Sequence, residues 1–367
     1  MAVERYALLF GSFIALLIAA EIFINGIEWA GNRLGISEGA TGSVLAAIGT
    51  VLPETMIPII AIFFTAGEAG NEVGVGAILG GPFLLATIVM FLIGASVLLF
   101  SSRRDYGKEL VVDTEPVKRN LSVFFIGFSL ALAAALIHNA TIAKAIGVGI
   151  TLLYVGYLYV TLTSGEVMEE EGISPLHLGN VLRRLPVSSP SISSMHTSPH
   201  SILIVAQVFF ALGVFVVGAH TFVNQIEWLA VDVLHVPVAV IALLIAPLAT
   251  ELPETFNSYF WIAKDKDTLA LGNITGAMAF QGTIPATIGI LFTSWNLTLD
   301  WGTAGFLNAF SVLLALMAGG IVYLRVRNDD TGRLTAGPFL VGGAFYLAFI
   351  IVLVYFVMNF DLAVTPH

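Results

Sequence analysis

A short phrase occurs twice in this chain, and each copy places a proline and a carboxylate inside a hydrophobic run. The two copies are Thr50–Thr55, with the sequence TVLPET, and Thr250–Thr255, with the sequence TELPET. A carboxylate at the centre of a bilayer costs roughly 2.5–3.5 kcal/mol or more. Its repetition behind a helix-breaking proline favours one two-fold site assembled from two halves, a pattern typical of transporters built from inverted repeats.

Both copies offer oxygen atoms to a ligand. Glu54 and Glu254 directly follow the prolines, and Thr50 and Thr250 lie one helical turn earlier on the same face. Proline has no N–H, so one backbone carbonyl in each copy loses its helical partner and needs another. Carboxylate, hydroxyl and carbonyl oxygens are the ligands that hard cations such as Ca²⁺ prefer. The sequence therefore predicts a site whose partners are metal cations.

Other kinds of chemistry lack the residues that they need. Zinc and copper sites use imidazole or thiolate, yet the chain has no cysteine and neither copy contains a histidine. There is no HExxH motif and no Ser–His pairing, so we do not expect an enzyme, and we expect no cofactor. Without a GxxxxGK[ST] motif for ATP, transport would have to run on an ion gradient.

The composition indicates a helical membrane protein. Of the 367 residues, 57% are hydrophobic and 11% are charged, and the mean hydropathy is +0.93. Soluble domains carry about 25% charged residues, so a soluble α/β enzyme does not fit. The formal net charge of −10 argues against a nucleic-acid partner. The partner that we expect besides cations is the lipid bilayer.

Ten hydrophobic runs are long enough to cross about 30 Å of hydrocarbon. The first five are Tyr6–Ile27, Gly39–Phe64, Val73–Phe100, Leu121–Leu136 and Ile142–Thr161. The second five are Ile202–Val223, Val238–Ile262, Leu269–Phe292, Ala304–Val326 and Ala336–Phe360. A hydrophilic segment separates the two sets. We therefore predict a first five-helix repeat over residues 1–163, a linker over 164–200 and a second repeat over 201–367.

The basic residues predict an orientation for these spans. Arg5 and Lys144 fall on one side, and every other lysine and arginine falls on the opposite side. Because Lys and Arg concentrate in cytoplasmic loops, the linker would be cytoplasmic and both termini would lie outside, in the plasma membrane. With five helices in each half, the two halves would have opposite topology.

The repeat extends beyond the duplicated phrase. Ile27–Trp29 recurs as Ile226–Trp228, and Gly76–Gly80 is matched by Gly272–Gly276. Glycines four residues apart lie on one side of a helix and allow a neighbouring backbone to approach closely. Each half therefore combines a helix broken by Pro-Glu with a helix that has a small-residue face.

With these motifs, the chain resembles the cation/calcium antiporter superfamily, whose best-known members are sodium/calcium exchangers. The resemblance rests on GTVLPE at Gly49–Glu54, on ATELPE at Ala249–Glu254 and on the glycine motif one helix later. It implies an all-α integral membrane protein with ten transmembrane helices as two inverted five-helix repeats.

The resemblance also implies roles for individual residues. Glu54 and Glu254 would bind Ca²⁺ and help to bind Na⁺. The hydroxyls of Thr50 and Thr250 would be further ligands. A backbone carbonyl seven residues before each glutamate, which falls on Ala47 and on Pro247, would complete each half.

The chain departs from the family pattern at several site positions. The family serine three residues before each glutamate is Val51 in the first copy and Glu251 in the second. The family's later Gly-Ser-Asn is Gly80–Pro82 in the first half, with the sequence GGP. The polar residue one turn further on, typically aspartate or asparagine, is Leu85 in the first half and Gln281 in the second.

These departures leave two roles open. Glu251 could supply the charge that Gln281 lacks, carry protons, or only face an aqueous vestibule. Gln281 could be a ligand or make an interhelical hydrogen bond.

The function that we favour is a secondary active antiporter that exchanges Ca²⁺ against Na⁺ or H⁺ by alternating access. An exchanger of another cation on the same fold, for example Na⁺/H⁺, is the alternative, because several sodium ligands of ordinary exchangers are absent. An open channel fits less well, because broken-helix repeats favour occlusion and exchange. The oligomeric state stays unknown.

Overall fold

The computed structural model describes residues 2–33, 46–65, 68–137, 139–163, 174–183, 199–295 and 297–360, and most of them are helical. The helices of the first half are α1 (Ala2–Arg33), α2 (Ala46–Phe64), α3 (Glu68–Leu84), α4 (Met90–Phe100), α5 (Thr114–Leu136) and α6 (Ala140–Thr163). Those that follow are α7 (His177–Arg183), α8 (Ser201–Trp228), α9 (Val238–Ile262), α10 (Asp267–Gln281), α11 (Ile284–Phe292), α12 (Ala304–Arg327) and α13 (Gly337–Asn359). Two short strands, β1 (Glu109–Val111) and β2 (Arg333–Thr335), pair antiparallel.

The described residues contain eight helical spans that are long and apolar enough to cross a membrane, and a bent ninth span over Val238–Ile262. A π-helical turn at Leu85–Val89 joins α3 to α4 within one span, Gly70–Phe100. The chain is therefore a multi-spanning membrane protein. The predicted span Gly39–Phe64 is described only from Ala46 onwards, so the count of ten stays a prediction.

Two predicted spans differ from the structure for local reasons. The predicted span Leu121–Leu136 is the end of a helix that begins at Thr114, because Asp113 caps its first turn by accepting a backbone N–H (3.1 Å). The predicted span Leu269–Phe292 is interrupted between α10 and α11. Average hydropathy reveals neither feature, because a polar first turn and a two-residue break barely change it.

The chain divides into two compact units. The first consists of Met1–Met56 and Leu158–Gln225, and the second consists of Ile57–Tyr157 and Ile226–His367. Each unit takes helices from both halves of the sequence. The units therefore do not coincide with the two repeats, which remain a prediction from the sequence.

In the first unit, buried amides of α1 and α8 hold the linker helix α7. Gln207 Nε2 donates to Asn25 Oδ1 (3.0 Å), and both side chains are buried. Their oxygens accept from the first backbone N–H groups of α7, those of His177 (3.1 Å) and Leu178 (2.8 Å). These bonds satisfy donors that a helix N-terminus leaves without an intrahelical partner, so α7 is tied to both long helices.

In the second unit, glycines bring α3 directly against α9. A Cβ atom added at Gly76 would overlap the carbonyl oxygen of Ala239, and one added at Gly80 would overlap that of Leu243. The close approach predicted from the four-residue glycine spacing is thus confirmed for the first copy of the motif. Buried apolar side chains of α3, α5 and α9 to α13 form the core of this unit.

A polar clasp, made of Arg104, Asp267 and the β1–β2 ribbon, closes one end of the second unit. Arg104 follows α4, is buried, and donates to both carboxylate oxygens of Asp267 (2.7 Å each). It also donates to the backbone carbonyls of Ile262 and Glu109. The all-helical prediction misses the ribbon, because its three-residue strands lie far apart in sequence and carry no local hairpin signal.

Candidate cation site

The second copy of the duplicated phrase forms a bend in α9. The helix axis turns by 52° between Val238–Leu252 and Glu254–Ile262. Pro253 lies between these two segments, and a proline inside a helix removes the N–H that would bond the carbonyl four residues earlier, which favours a bend. The two glutamates of this copy therefore lie on either side of the break.

These two glutamates, Glu251 and Glu254, are buried close together. Glu251 is fully buried and Glu254 is 8% exposed. One carboxylate oxygen of each lies within 4.8 Å of one carboxylate oxygen of the other. Among the described residues, no hydrogen-bond donor reaches the Oε2 atom of either side chain. Buried carboxylates without partners are costly, so the arrangement favours a positive ion or proton between them.

Gln281 reaches this pair from the neighbouring helix α10. It is buried, and its Nε2 donates to Glu251 Oε1 at 2.6 Å. Its own Oε1 meets no donor within the described part of the chain. The structure therefore shows the interhelical hydrogen bond that the sequence left open, while the amide oxygen is still able to serve as a ligand.

Gly81 on α3 makes room for the Gln281 amide. A Cβ atom added at Gly81 would overlap Gln281 Oε1 and would lie 3.5 Å from Glu251 Oε1. This role is not predicted from the sequence. Its one signal is the glycine doublet at Gly80 and Gly81, where the family pattern has glycine followed by serine.

Thr250 adds a buried hydroxyl one turn before Glu254. Its Oγ1 lies 3.4–3.5 Å from the carbonyl oxygens of Pro247 and Ala246, and 3.5 Å from Glu251 Oε1. All three distances are long for an O–H···O hydrogen bond, whose usual length is about 2.7–2.8 Å. The hydroxyl is therefore weakly held and can turn towards an ion.

The first copy of the phrase lies on α2, and its glutamate belongs to the first compact unit. Glu54 is 8% exposed. Ala47 and Thr50 belong to the same helix, but their side chains fall outside the described residues. The structure thus groups the second-copy glutamates with Thr250 and Gln281, and the contribution of the first copy stays a prediction.

The described part of the site offers only oxygen ligands. They are two carboxylates, one amide oxygen and one hydroxyl, with neither imidazole nor thiolate among them. Hard cations such as Ca²⁺ and Na⁺ prefer oxygen, whereas softer transition metals select nitrogen or sulfur. The donor set therefore suits a hard cation.

Comparison with known proteins points to one family. The model of the family described as sodium/calcium exchanger protein matches residues 5–163 and 203–358. A protein described as a candidate antiporter, CaxA of Alkalimonas amylolytica, is 26% identical over 340 residues, which cover 92% of this chain and 96% of that protein.

Two solved structures share the fold. The crystal structure of the H⁺/Ca²⁺ exchanger CAX matches with a TM-score of 0.67 at 16% identity, over 95% of this chain and 82% of that one. The sodium-calcium exchanger NCX_Mj matches with a TM-score of 0.53 at 18% identity, over 96% of this chain and 99% of that one. At such identities the likeness concerns the fold alone. Because the family model covers both halves of the chain, this protein belongs to the sodium/calcium exchanger family.

Proposed function

We propose that this protein is a secondary active antiporter that exchanges Ca²⁺ against Na⁺ or H⁺ by alternating access. The observation that carries the proposal is the pair of buried carboxylates, Glu251 and Glu254, whose Oε2 atoms meet no donor among the described residues. Ca²⁺ takes six to eight oxygen ligands in flexible geometry, and the donor set around these carboxylates is of that type. Membership of the exchanger family supports the same function.

The ligands that we propose in the second copy are Thr250, Glu251, Glu254 and Gln281. We infer the ligands of the first copy from the sequence repeat alone. Glu54 is the equivalent of Glu254, and Thr50 is the equivalent of Thr250. The backbone carbonyl of Ala47 would add a neutral oxygen, as Pro247 would in the second copy.

The topology that we propose has ten spans in two inverted repeats, residues 1–163 and 201–367. The linker, residues 164–200, would be cytoplasmic, with both termini outside the cell membrane. Two halves of opposite topology would give a shared site access to each side in turn. The bend in α9 supports this scheme, because a broken helix exposes backbone carbonyls that can coordinate an ion.

The proposal leaves two candidate counter-ions, Na⁺ and H⁺. The names of the two structural relatives give different answers, H⁺ for CAX and sodium for NCX_Mj. Both gradients therefore have to be tested on this protein.

The test is uptake of radioactive Ca²⁺ into proteoliposomes, driven by an imposed Na⁺ gradient and separately by a pH gradient. We expect one gradient to drive uptake and Glu54→Gln and Glu254→Gln each to abolish it. Glu227→Gln is the matched control, because it makes the same substitution at an exposed position and should leave uptake unchanged.

Absence of uptake with either gradient, from protein that unfolds cooperatively on heating, would contradict the calcium proposal. The same proteoliposomes would then be assayed for Na⁺ uptake against a pH gradient. Uptake there would identify an exchanger of a different cation on the same fold.

A further inference from the structure

Glu251 and Gln281 form a matched pair across two helices. Their side chains have the same length and differ only in one terminal group, which is a second oxygen in glutamate and an NH₂ group in glutamine. Gln281 Nε2 donates to Glu251 Oε1 at 2.6 Å, and both side chains are at least 98% buried. Each keeps one oxygen, Glu251 Oε2 or Gln281 Oε1, without a donor in the described part of the chain. The pair thus has two unsatisfied oxygens, and it carries one negative charge when Glu251 is ionised.

We propose that this pair acts as a single carboxylate–carboxamide ligand that sets the affinity for the transported cation. Binding of the cation requires that the pair carry one negative charge, but this charge need not lie on the residue in α9. The large majority of buried side-chain polar atoms in proteins have a hydrogen-bond partner, so two unsatisfied oxygens on one pair indicate a ligand. The proposal rests on the proposed function, since it concerns the ion carried by the same site.

An exchange of the two residues separates this proposal from its alternative. If Glu251 alone binds the ion and Gln281 only positions it, moving the charge to residue 281 abolishes binding. In the double variant Glu251→Gln/Gln281→Glu, the amide at 251 can donate to the carboxylate at 281, so the hydrogen bond and the net charge are kept. The two side chains have the same length, and Gly81 has no Cβ to overlap the head group at residue 281, so the exchange is sterically conservative.

The single variant Glu251→Gln should fail, because it keeps the shape and removes the charge. Gln281→Glu brings a second carboxylate to hydrogen-bond distance, and a cation between the two relieves their repulsion, so this variant should bind at least as tightly as the wild type. We expect Glu251→Gln to weaken binding by about tenfold or more, and the double variant to recover to within about threefold of the wild type, because contacting residues couple strongly in such cycles.

The measurement is equilibrium binding of radioactive Ca²⁺ to the purified full chain in detergent, followed by uptake into proteoliposomes. Thermal unfolding of every variant establishes that it is folded. Glu227→Gln, an exposed glutamate outside the site, should bind Ca²⁺ like the wild type.

Two results would overturn the proposal: a double variant that binds no better than the weaker single variant, or Glu251→Gln that binds like the wild type. If the double variant does not fold, Glu251→Asn with Gln281→Asp also moves the charge to residue 281, with shorter side chains, and provides the same test. If the folded wild type neither binds nor transports Ca²⁺, the proposed function has failed. The same cycle measured with radioactive Na⁺ then decides separately whether the pair acts as one ligand.

Discussion

At the residue scale, the Glu251–Gln281 pair fits only because residue 81 is a glycine, whose side chain is a single hydrogen atom. A methyl group in its place would overlap Gln281 Oε1 and approach Glu251 Oε1. The amide would have to leave its position, and with it the 2.6 Å bond to Glu251. A residue that carries no functional group thus controls the geometry of two that do.

We predict that Gly81→Ala lowers Ca²⁺ uptake by about tenfold or more while the protein stays folded. Alanine is about 1 kcal/mol more favourable than glycine inside a helix. The loss of uptake would therefore arise from the overlap with Gln281 and not from a less stable helix. Uptake and thermal unfolding measure the two effects separately. Gly149→Ala on α6 is the control, since a Cβ there meets no described atom within 4 Å. Unchanged uptake by Gly81→Ala would show that the amide position is unimportant.

The sequence predicts the chemistry of this site better than its contacts. The repeated phrase predicts Glu254 and Thr250 as neighbours on one helix, because four-residue spacing is a local property of a helix. The bond between Gln281 and Glu251 links two helices, and the role of Gly81 depends on a third. Such contacts depend on how the helices pack against one another. A single sequence does not show which of its distant residues come together.

At the element scale, the bend of 52° in α9 sets the relative direction of the two buried glutamates. Glu251 lies before the break and Glu254 follows Pro253. In a straight helix these two side chains, three residues apart, would be close neighbours on one face. The bend changes the relative direction of the two side chains, and Pro253 has no N–H for the carbonyl of Ala249.

We predict that Pro253→Ala makes the protein more stable and less active. Alanine restores an N–H that can bond the carbonyl of Ala249, and removal of an interior proline gains up to about 3 kcal/mol. The straighter helix would change the spacing of Glu251 and Glu254, so Ca²⁺ uptake should fall. Pro237→Ala is the control, because Pro237 precedes the first turn of α9. A Pro253→Ala protein with full uptake would mean that the bend is dispensable.

The polar clasp joins three loops at one end of the second unit. Burial disfavours a charged guanidinium, but the hydrogen bond to Asp267 and the nearby carboxylates outweigh this and raise the pKa of Arg104. Val111 N–H also donates to Asp267 Oδ2 (2.8 Å), which ties β1 to the start of α10. The position of α10, and therefore of Gln281, depends on this contact.

We predict that Asp267→Ala destabilises the protein by about 3–5 kcal/mol, the usual cost of leaving a buried charge without its partner. The measurement is a reversible unfolding titration in detergent. Arg333→Ala is the matched control, because it breaks the more exposed ion pair with Glu109 (3.1 Å) on the same ribbon. That change should cost less than about 1 kcal/mol. Equal losses in the two variants would contradict a structural role for the buried pair.

At the scale of the whole molecule, hydropathy predicts where the chain crosses the membrane, and packing determines how each span is built. Nine of the ten predicted runs correspond to the eight spans and the bent ninth one of the described residues, because about 20 apolar residues are needed to cross hydrocarbon. The π-helical turn at Leu85–Val89, the break between α10 and α11 and the ribbon are not visible in an average. They depend on contacts between segments that are distant in sequence.

The loops of the second unit lie in two groups, one at each end of its helices. The loop after α4 and the loop after α12 meet through the paired strands β1 and β2. At the opposite end of α5, the loop after α11 contacts that helix through Trp295 Nε1, which donates to the carbonyl of Ala131 (3.0 Å). The first two loops therefore share one side of the membrane, and the loops after α5 and α11 share the other.

We predict that the first of these sides is cytoplasmic, because its loops carry Arg103, Lys108 and Arg333, whereas Lys144 is the one basic residue of the second unit that the sequence assigns to the other side. The chain has no cysteine, so single cysteines can be labelled without background. In intact cells, a membrane-impermeant maleimide should label Ala140→Cys, at the exposed first residue of α6, and Leu299→Cys, at an exposed position of the loop after α11. Ser102→Cys and Asp330→Cys, exposed on the opposite side, should react only after the cells are opened. The reverse pattern would invert the orientation, and mixed labelling within one side would contradict the shared ends.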